Sequence, residues 1–149
     1  MSIKEFLQPN DVLADFAVSS KASLLKGMAQ RASECCKLPA GSILSALLKR
    51  EELGSTGTGG GIAIPHARIA GLGKPFGTLL RLRESIDFGA IDDQPVDLVF
   101  LLLLPVEPNK EQLNALASVA RILRSPDSVR NLRRARDRSE LFRVMTALA

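Results

Sequence analysis

Histidine occurs once in the 149-residue chain, cysteine twice, and tryptophan and tyrosine not at all. A site built from several histidine ligands is therefore excluded, and so is a four-ligand Cys/His zinc cage. Six phenylalanines are the whole aromatic set, which argues against base stacking on single-stranded nucleic acid. The two cysteines are neighbours, Cys35 and Cys36, and adjacent residues do not reach disulfide geometry without strain. They fall in a stretch that reads as an amphipathic helix, so the expectation is buried thiols in a reducing cytoplasm. The first residues, Met1-Ser2-Ile3-Lys4-Glu5-Phe6, lack the basic-then-apolar layout of a secretion signal. The longest apolar run, Leu98 to Leu104, falls far short of the ~20 residues of a membrane span. The chain reads as cytoplasmic, without membrane insertion. Any histidine chemistry falls to His66.

What is present is an ordinary folding composition, 46% apolar and 24% charged, so a packed core is expected rather than disorder. The length suits one domain, residues 1–149. Net charge is +4, and it is unevenly placed. Between Arg121 and Arg143 stand eight arginines against Asp127, Asp137 and Glu140, while the rest of the chain carries −1. This excess reads either as a solvated helical face or as a docking surface for an acidic partner. Nucleic-acid binding ranks behind both, because Phe142 is the one aromatic there and no motif accompanies it.

Asp11 to Val18 reads as a short strand. Lys21 to Lys37 places Leu24, Leu25, Met28, Ala29, Ala32 and Cys36 at helical spacing. After Pro39-Ala40-Gly41 a second helix carries Ile43, Leu44, Leu47 and Leu48 on one side and ends in Lys49-Arg50-Glu51-Glu52. Gly54 to Gly61 is too rich in glycine for a regular helix or strand interior. Ile62-Ala63-Ile64 is a brief strand that Pro65 stops. Gly77 to Arg83 alternates like a half-buried strand. Val96 to Leu104 is nearly all apolar and reads as a central strand buried on both faces, ended by Pro105 and Pro108. The last third is helical. Leu113, Leu116, Ala117, Ala120 and Leu123 share one spacing, Ser125-Pro126-Asp127 is a helix start, and Asp137 with Glu140 resembles a capping box ahead of Leu141, Val144, Met145 and Leu148. Strands flanked by helices in both halves imply an α/β fold with helices on both faces of a small sheet.

Three readings compete for residues 54–68. A Walker-type phosphate loop needs Gly-Lys-Ser/Thr, and no lysine occurs there; a dinucleotide fingerprint follows a strand and opens a helix, whereas these glycines follow a helix. A flexible turn beside a packed or surface histidine is the plain alternative. The third reading is a nucleophilic His66 that accepts a phosphoryl group. Such a residue needs a neutral imidazole, an acceptor that fixes its tautomer, and donors for three phosphoryl oxygens. Ser55, Thr56, Gly57 and Thr58 in the loop, with Arg50 before it and Arg68 after His66, offer those donors.

Arg50-Glu51-Glu52-Leu53-Gly54-Ser55-Thr56-Gly57, followed by Gly61-Ile62-Ala63-Ile64-Pro65-His66-Ala67, resembles the phosphorylation-site signature of the fructose/mannitol-type enzyme IIA of the bacterial phosphotransferase system. Leu-Gly-Ser-Thr-Gly and the short chain look most like its nitrogen-regulatory branch. The resemblance implies a three-layer α/β/α sandwich with a small mixed sheet. It implies that His66 is the phosphoryl acceptor and that Arg50 steadies the phosphoryl group. It implies a histidine-phosphorylated carrier protein as donor, charged from phosphoenolpyruvate, and regulated targets such as potassium-transport or sensor-kinase systems. No cofactor or metal is called for, and the chain would act as a phosphoryl acceptor and donor rather than as a conventional turnover enzyme.

Two departures stand out. Thr58 replaces the aliphatic residue usual in the family. The family's second active-site histidine aligns with Gln112, in Asn109-Lys110-Glu111-Gln112-Leu113. Glutamine can donate a hydrogen bond to a phosphoryl oxygen but cannot carry a proton or a positive charge. A binding module that signals without phosphoryl transfer is therefore one alternative. A sugar-specific component that passes phosphate to a transporter domain is another.

Overall fold

Two apolar faces on the same strand, Val96–Pro105 (β6), organise the chain. Leu98, Phe100, Leu102 and Leu104 enter one core and Val99, Leu101 and Leu103 the other, as alternation along a strand requires. The computed structural model describes residues 2–107 and 110–147. Pro108 and Leu148, read above as a breaker and a helix-face residue, lie outside them.

β6 lies inside a mixed six-stranded sheet. On one side it pairs antiparallel with Phe76–Ile86 (β5), which pairs parallel with Val12–Phe16 (β1). On its other side run Ile62–Ala63 (β3) and His66–Ile69 (β4), both parallel to β6. Gly57–Gly59 (β2) closes that edge antiparallel to β3. Five helices flank the sheet among the described residues: Lys21–Cys36 (α1), Ala40–Glu52 (α2), Lys110–Arg124 (α3), Pro126–Arg134 (α4) and Arg138–Thr146 (α5). α1 and α2 cover one face, packing Leu24, Leu25, Met28, Ile43 and Leu47 against Leu80 and Leu101. α3, α4 and α5 cover the other, with Val119, Leu132, Leu141 and Met145 against Leu79 and Phe100. This is the three-layer α/β/α sandwich with a mixed sheet.

Local signals account for most boundaries. Ser20 caps α1 by accepting from the Ser23 N–H, and Lys37 ends it in the left-handed conformation at φ 58°. Ser125 accepts from Ser128 N–H with Pro126 at the first helical position, as read from the sequence. Asp137 caps α5 through the Glu140 N–H.

Four expectations change. The cysteines are not a buried pair: Cys35 is exposed and Cys36 half-buried, both free. The apolar stripe of α1 faces the sheet through Ala32, and Cys36 is its last residue, where the chain leaves the layer. Burial, with Asp11 second, raises the Cys35 pKa; its thiol faces the Asp11 carboxylate at 3.6 Å and stays protonated. The glycine-rich run does contain a strand, β2, because its edge position needs few side-chain contacts. The strand at Asp11–Val18 shrinks to β1, with Asp11 in a preceding 3-10 turn and Asp15 at φ 55° breaking the ladder register. β5 is longer than Gly77–Arg83, and it is buried rather than half-buried because Leu79 and Leu80 enter the cores on opposite faces of the sheet, each covered by helices.

Candidate functional site

His66 is the first residue of β4, a strand that the sequence pattern did not show. Ile62 faces Leu98 and His66 faces Leu102, so β3 and β4 keep one register on β6 across Pro65. Proline has no N–H to give the ladder, but its carbonyl accepts from Leu102 N–H at 2.9 Å. The backbone on either side of His66 is thereby fixed to the most buried strand of the sheet.

The imidazole is half-buried, with Nδ1 2.8 Å from the Ile64 carbonyl oxygen. A carbonyl can only accept, so the proton resides on Nδ1 and Nε2 keeps its lone pair. Burial pushes the His66 pKa below the ordinary 6.5. The Ile64 carbonyl opposes this shift, the Arg50 charge adds to it, and the Glu51 charge opposes it. The ring is neutral at pH 7 and presents one nucleophilic nitrogen.

Around it lies a cleft of about 500 Å³, shared by the last turns of α2, by β4, and by the first turns of α3. Its cations are Lys49, Arg50 and Arg68, and among the described residues no carboxylate lines it. Leu53 and Leu113, 85% and 65% exposed, stand at its mouth as bare apolar residues. An anion entering the cleft meets the charges of Lys49, Arg50 and Arg68, and a protein approaching it meets the apolar Leu53 and Leu113.

The structure brings together His66, Arg50 and Gln112, all of which line this cleft. Arg50 is held at the loop entrance by donating to the Gly54 carbonyl at 2.9 Å. Gln112 is 2% exposed. Its amide nitrogen donates to the Glu107 carbonyl at 2.6 Å, and its oxygen accepts from Arg68 at 2.6 Å. Arg68 also donates to the Pro105 carbonyl at 3.0 Å.

Ser55, Thr56, Gly57 and Thr58 do not line the cleft. The Ser55 hydroxyl accepts from Gly57 N–H at 3.0 Å. Thr56 is buried; its hydroxyl donates to Glu51, and its N–H is 3.2 Å from the same carboxylate. Thr58 points into a different cleft beside α4. The loop acts from beneath: Ile64 N–H donates to the Thr56 carbonyl at 3.0 Å, and Ile64 in turn holds the imidazole.

Glu51 joins the site through contacts that the sequence pattern does not indicate. Its side chain is 7% exposed and meets Lys21 Nζ at 2.7 Å, while Lys21 lies 4.4 Å from the Phe88 ring centroid. A line of polar contacts thus runs from Lys21 through Glu51, Thr56 and Ile64 to His66. Helical periodicity marks Glu51 as one more charge at a helix end, and its inward turn follows from the loop that wraps around it. Arg68 was noticed beside His66, but its grip on Gln112 depends on α3 folding back over β4. Among the described residues no group of three or more His, Cys, Asp or Glu is placed to hold a metal ion, and no helix is long and apolar enough to cross a membrane.

The geometry can be set beside known proteins. The family model for the phosphoenolpyruvate-dependent sugar phosphotransferase system, EIIA 2, matches residues 5–147. The chain is 41% identical to a nitrogen regulatory protein of Bradyrhizobium diazoefficiens over 145 residues, covering 97% of this chain and 95% of that one. A crystal structure of nitrogen regulatory protein IIA-Ntr from Neisseria meningitidis superimposes with TM-score 0.92 at 33% identity, covering 97% of this chain and 99% of the other. IIA mannitol from Escherichia coli shares the fold, at TM-score 0.76 and 18% identity over 93% of this chain and 98% of the other.

Proposed function

This chain belongs to the EIIA 2 family of the phosphoenolpyruvate-dependent sugar phosphotransferase system, with relatives named nitrogen regulatory proteins, and we propose that it is a cytoplasmic regulatory phosphocarrier phosphorylated on His66. The observation that carries this reading is the neutral His66 ring, its Nδ1–H held by the Ile64 carbonyl, in a cleft whose charged lining among the described residues is Lys49, Arg50 and Arg68.

The donor is a carrier protein bearing phosphohistidine. Nε2 of His66 attacks phosphorus in line. The P–N bond to the donor ring breaks, and its electron pair returns to the donor nitrogen. A P–N bond forms at His66, whose Nδ1–H then shares the positive charge of the ring with the Ile64 carbonyl. Catalysis is positioning and charge stabilisation, with Arg50, Arg68 and Lys49 near the equatorial oxygens. The exposed Leu53 and Leu113 give the donor an apolar footing beside the reacting ring. Phosphorylation adds about two negative charges to a basic cleft, which changes the surface that regulated partners meet, potassium-transport or sensor-kinase systems being the kind this branch implies.

Gln112 supports a second reading, a module that binds partners without phosphoryl transfer. Its amide is engaged by Glu107 and Arg68, so it supplies neither the charge nor the proton of a histidine. Incubation with phosphoenolpyruvate and the upstream carrier proteins, followed by intact mass measurement, separates the two. The phosphocarrier reading expects one added phosphoryl group in the wild type and none in His66→Ala. No added mass in the wild type, or equal mass in both, overturns it.

A further inference from the structure

A second cleft opens at the far end of α3 and takes no part in the chemistry above. It lies between the tip of the β2–β3 hairpin and α4, has a volume of about 580 Å³, and is lined by Arg124, Arg130, Arg133 and Arg134, with no carboxylate lining it among the described residues. Leu116 borders the His66 cleft and Arg124 this one. Those positions are about 12 Å apart along the helix at 1.5 Å per residue.

The four arginines are not equivalent. Arg133 is clamped on Asp97 through two contacts, 3.0 and 2.9 Å, and also donates to the Gly60 carbonyl at 2.7 Å. Arg130 meets Asp127 at 2.9 Å. Arg124 makes one bond, to the Ala120 carbonyl in its own helix, and Arg134 makes none among the described residues. Two guanidiniums therefore face the cleft without a counter-charge among the described residues.

Hydrogen bonds brace the walls. Ser125 caps one end of α4, and at the other end Arg81 donates to the Leu132 and Ala135 carbonyls at 2.9 and 2.6 Å. The Arg133–Gly60 bond ties the hairpin to the helix. Between the charges the floor is aliphatic, made of Ile62, Leu123 and Val129.

We infer that this cleft is a docking site for an acidic segment of a partner protein, one in which carboxylates alternate with aliphatic side chains. Charge complementarity supplies the attraction, and the aliphatic floor seats the interleaved side chains. Two of the guanidiniums already hold carboxylates, which is the pairing a partner would extend to Arg124 and Arg134. A nucleotide fits less well. Among the described residues no aromatic side chain lines the cleft to stack a base, and no carboxylate lines it to accept from a ribose hydroxyl. The site adds a second contact surface to a regulatory protein, one that stays basic whether or not His66 carries phosphate.

The probe is a fluorescein-labelled glutamate-rich decapeptide with two interior leucines, titrated into the full chain and read by anisotropy. Saturable binding that weakens with salt is expected, together with amide shifts at Thr58–Gly60 and Val129 in a two-dimensional NMR spectrum. Arg124→Glu/Arg134→Glu should weaken binding about tenfold or more, while Lys49→Glu in the His66 cleft changes it less than about twofold. Both reversed residues lack an acidic partner among the described residues, so an unchanged melting curve is expected; the shift map on the wild type decides independently should the double variant fold poorly. Absence of binding overturns the proposal, as do shifts centred on His66 or equal loss with Lys49→Glu. Displacement of the peptide by ATP at lower concentration than by unlabelled peptide also overturns it, in favour of a nucleotide site.

Discussion

Arg68 and Gln112 meet at 2.6 Å across the His66 cleft, the guanidinium donating to the amide oxygen. Gln112 is buried where the family's second histidine is expected, and Arg68 is exposed on β4, two residues past His66. The pairing brings a permanent positive charge to a place where the glutamine itself brings none. Arg68→Ala should therefore slow phosphoryl acceptance by about 100–1,000-fold, the usual loss for one preorganised transition-state donor. Arg68→Lys should recover part of the rate, since it keeps the charge and loses the planar fork. Initial rates of labelling from the phosphorylated carrier test both. A rate for Arg68→Ala equal to the wild type removes Arg68 from the chemistry.

Glu51 governs the ring from a distance. Its buried carboxylate receives Lys21, the Thr56 hydroxyl and the Thr56 N–H, and the Thr56 carbonyl in turn fixes Ile64. Glu51→Ala leaves those donors unmatched and should cost about 2–4 kcal/mol. Urea unfolding gives the stability. The cross-peak of the His66 ring should broaden in the same variant, because Ile64 loses its anchor, and a sharp unshifted signal would show that the loop holds without Glu51.

The pH dependence of stability has a definite sign. Folding lowers the His66 pKa, mainly through burial, so the unfolded chain takes the proton first as pH falls. The contribution is complete above the unfolded value of about 6.5, declines below it, and is lost once pH passes the lower folded value. Between pH 7 and 5 the wild type should lose more stability than His66→Asn. Urea midpoints for both proteins across that range provide the measurement, and parallel curves would contradict the assignment.

Gly57 belongs to the loop that the sequence suggested would cradle a phosphoryl group. A side chain there would meet Ala90 Cβ at 2.8 Å and Ala90 Cα at 2.9 Å. The glycine lets β2 lie against the segment after β5, away from the His66 cleft. Gly57→Ala should lower stability by about 1–3 kcal/mol, while the refolded fraction still accepts phosphate. Loss of labelling at full stability would instead place Gly57 at the ligand.

These contrasts show which properties local sequence carries. β6 was legible because seven consecutive apolar residues at 98–104 leave no polar face, and α4 because Ser125-Pro126 is a self-contained start signal. His66 and Arg50 were legible through a specific motif. β4 was not, since His66-Ala67-Arg68-Ile69 alternates polar and apolar over only four residues directly after a proline, too short a run to mark a strand until β6 lies beside it. The same holds for Thr56 and Thr58. Their residue types suit phosphoryl binding, but the turn of the hairpin sends one toward Glu51 and the other toward the arginines of α4. Long-range placement, the fold-back of α3 over β4 above all, decides which polar groups share a cleft, and no local pattern records it.

Arg50 has two effects on His66 that one experiment can separate. Its charge helps to depress the imidazole pKa, and its guanidinium lines the cleft into which the phosphoryl group would arrive. Removing it in Arg50→Ala should move the His66 titration to higher pH and shorten the lifetime of the phosphorylated protein. Arg50→Lys keeps the charge, so its titration should stay near that of the wild type, but a compact ammonium cannot grip two oxygens as a fork does. Its phosphorylated form should therefore decay at an intermediate rate. Because the chain has one histidine, a single imidazole resonance reports the titration without ambiguity, and phosphorus NMR follows the decay. A titration shift without a lifetime change would leave Arg50 a purely electrostatic neighbour of the ring; a lifetime change without a shift would make it a ligand of the phosphoryl group alone.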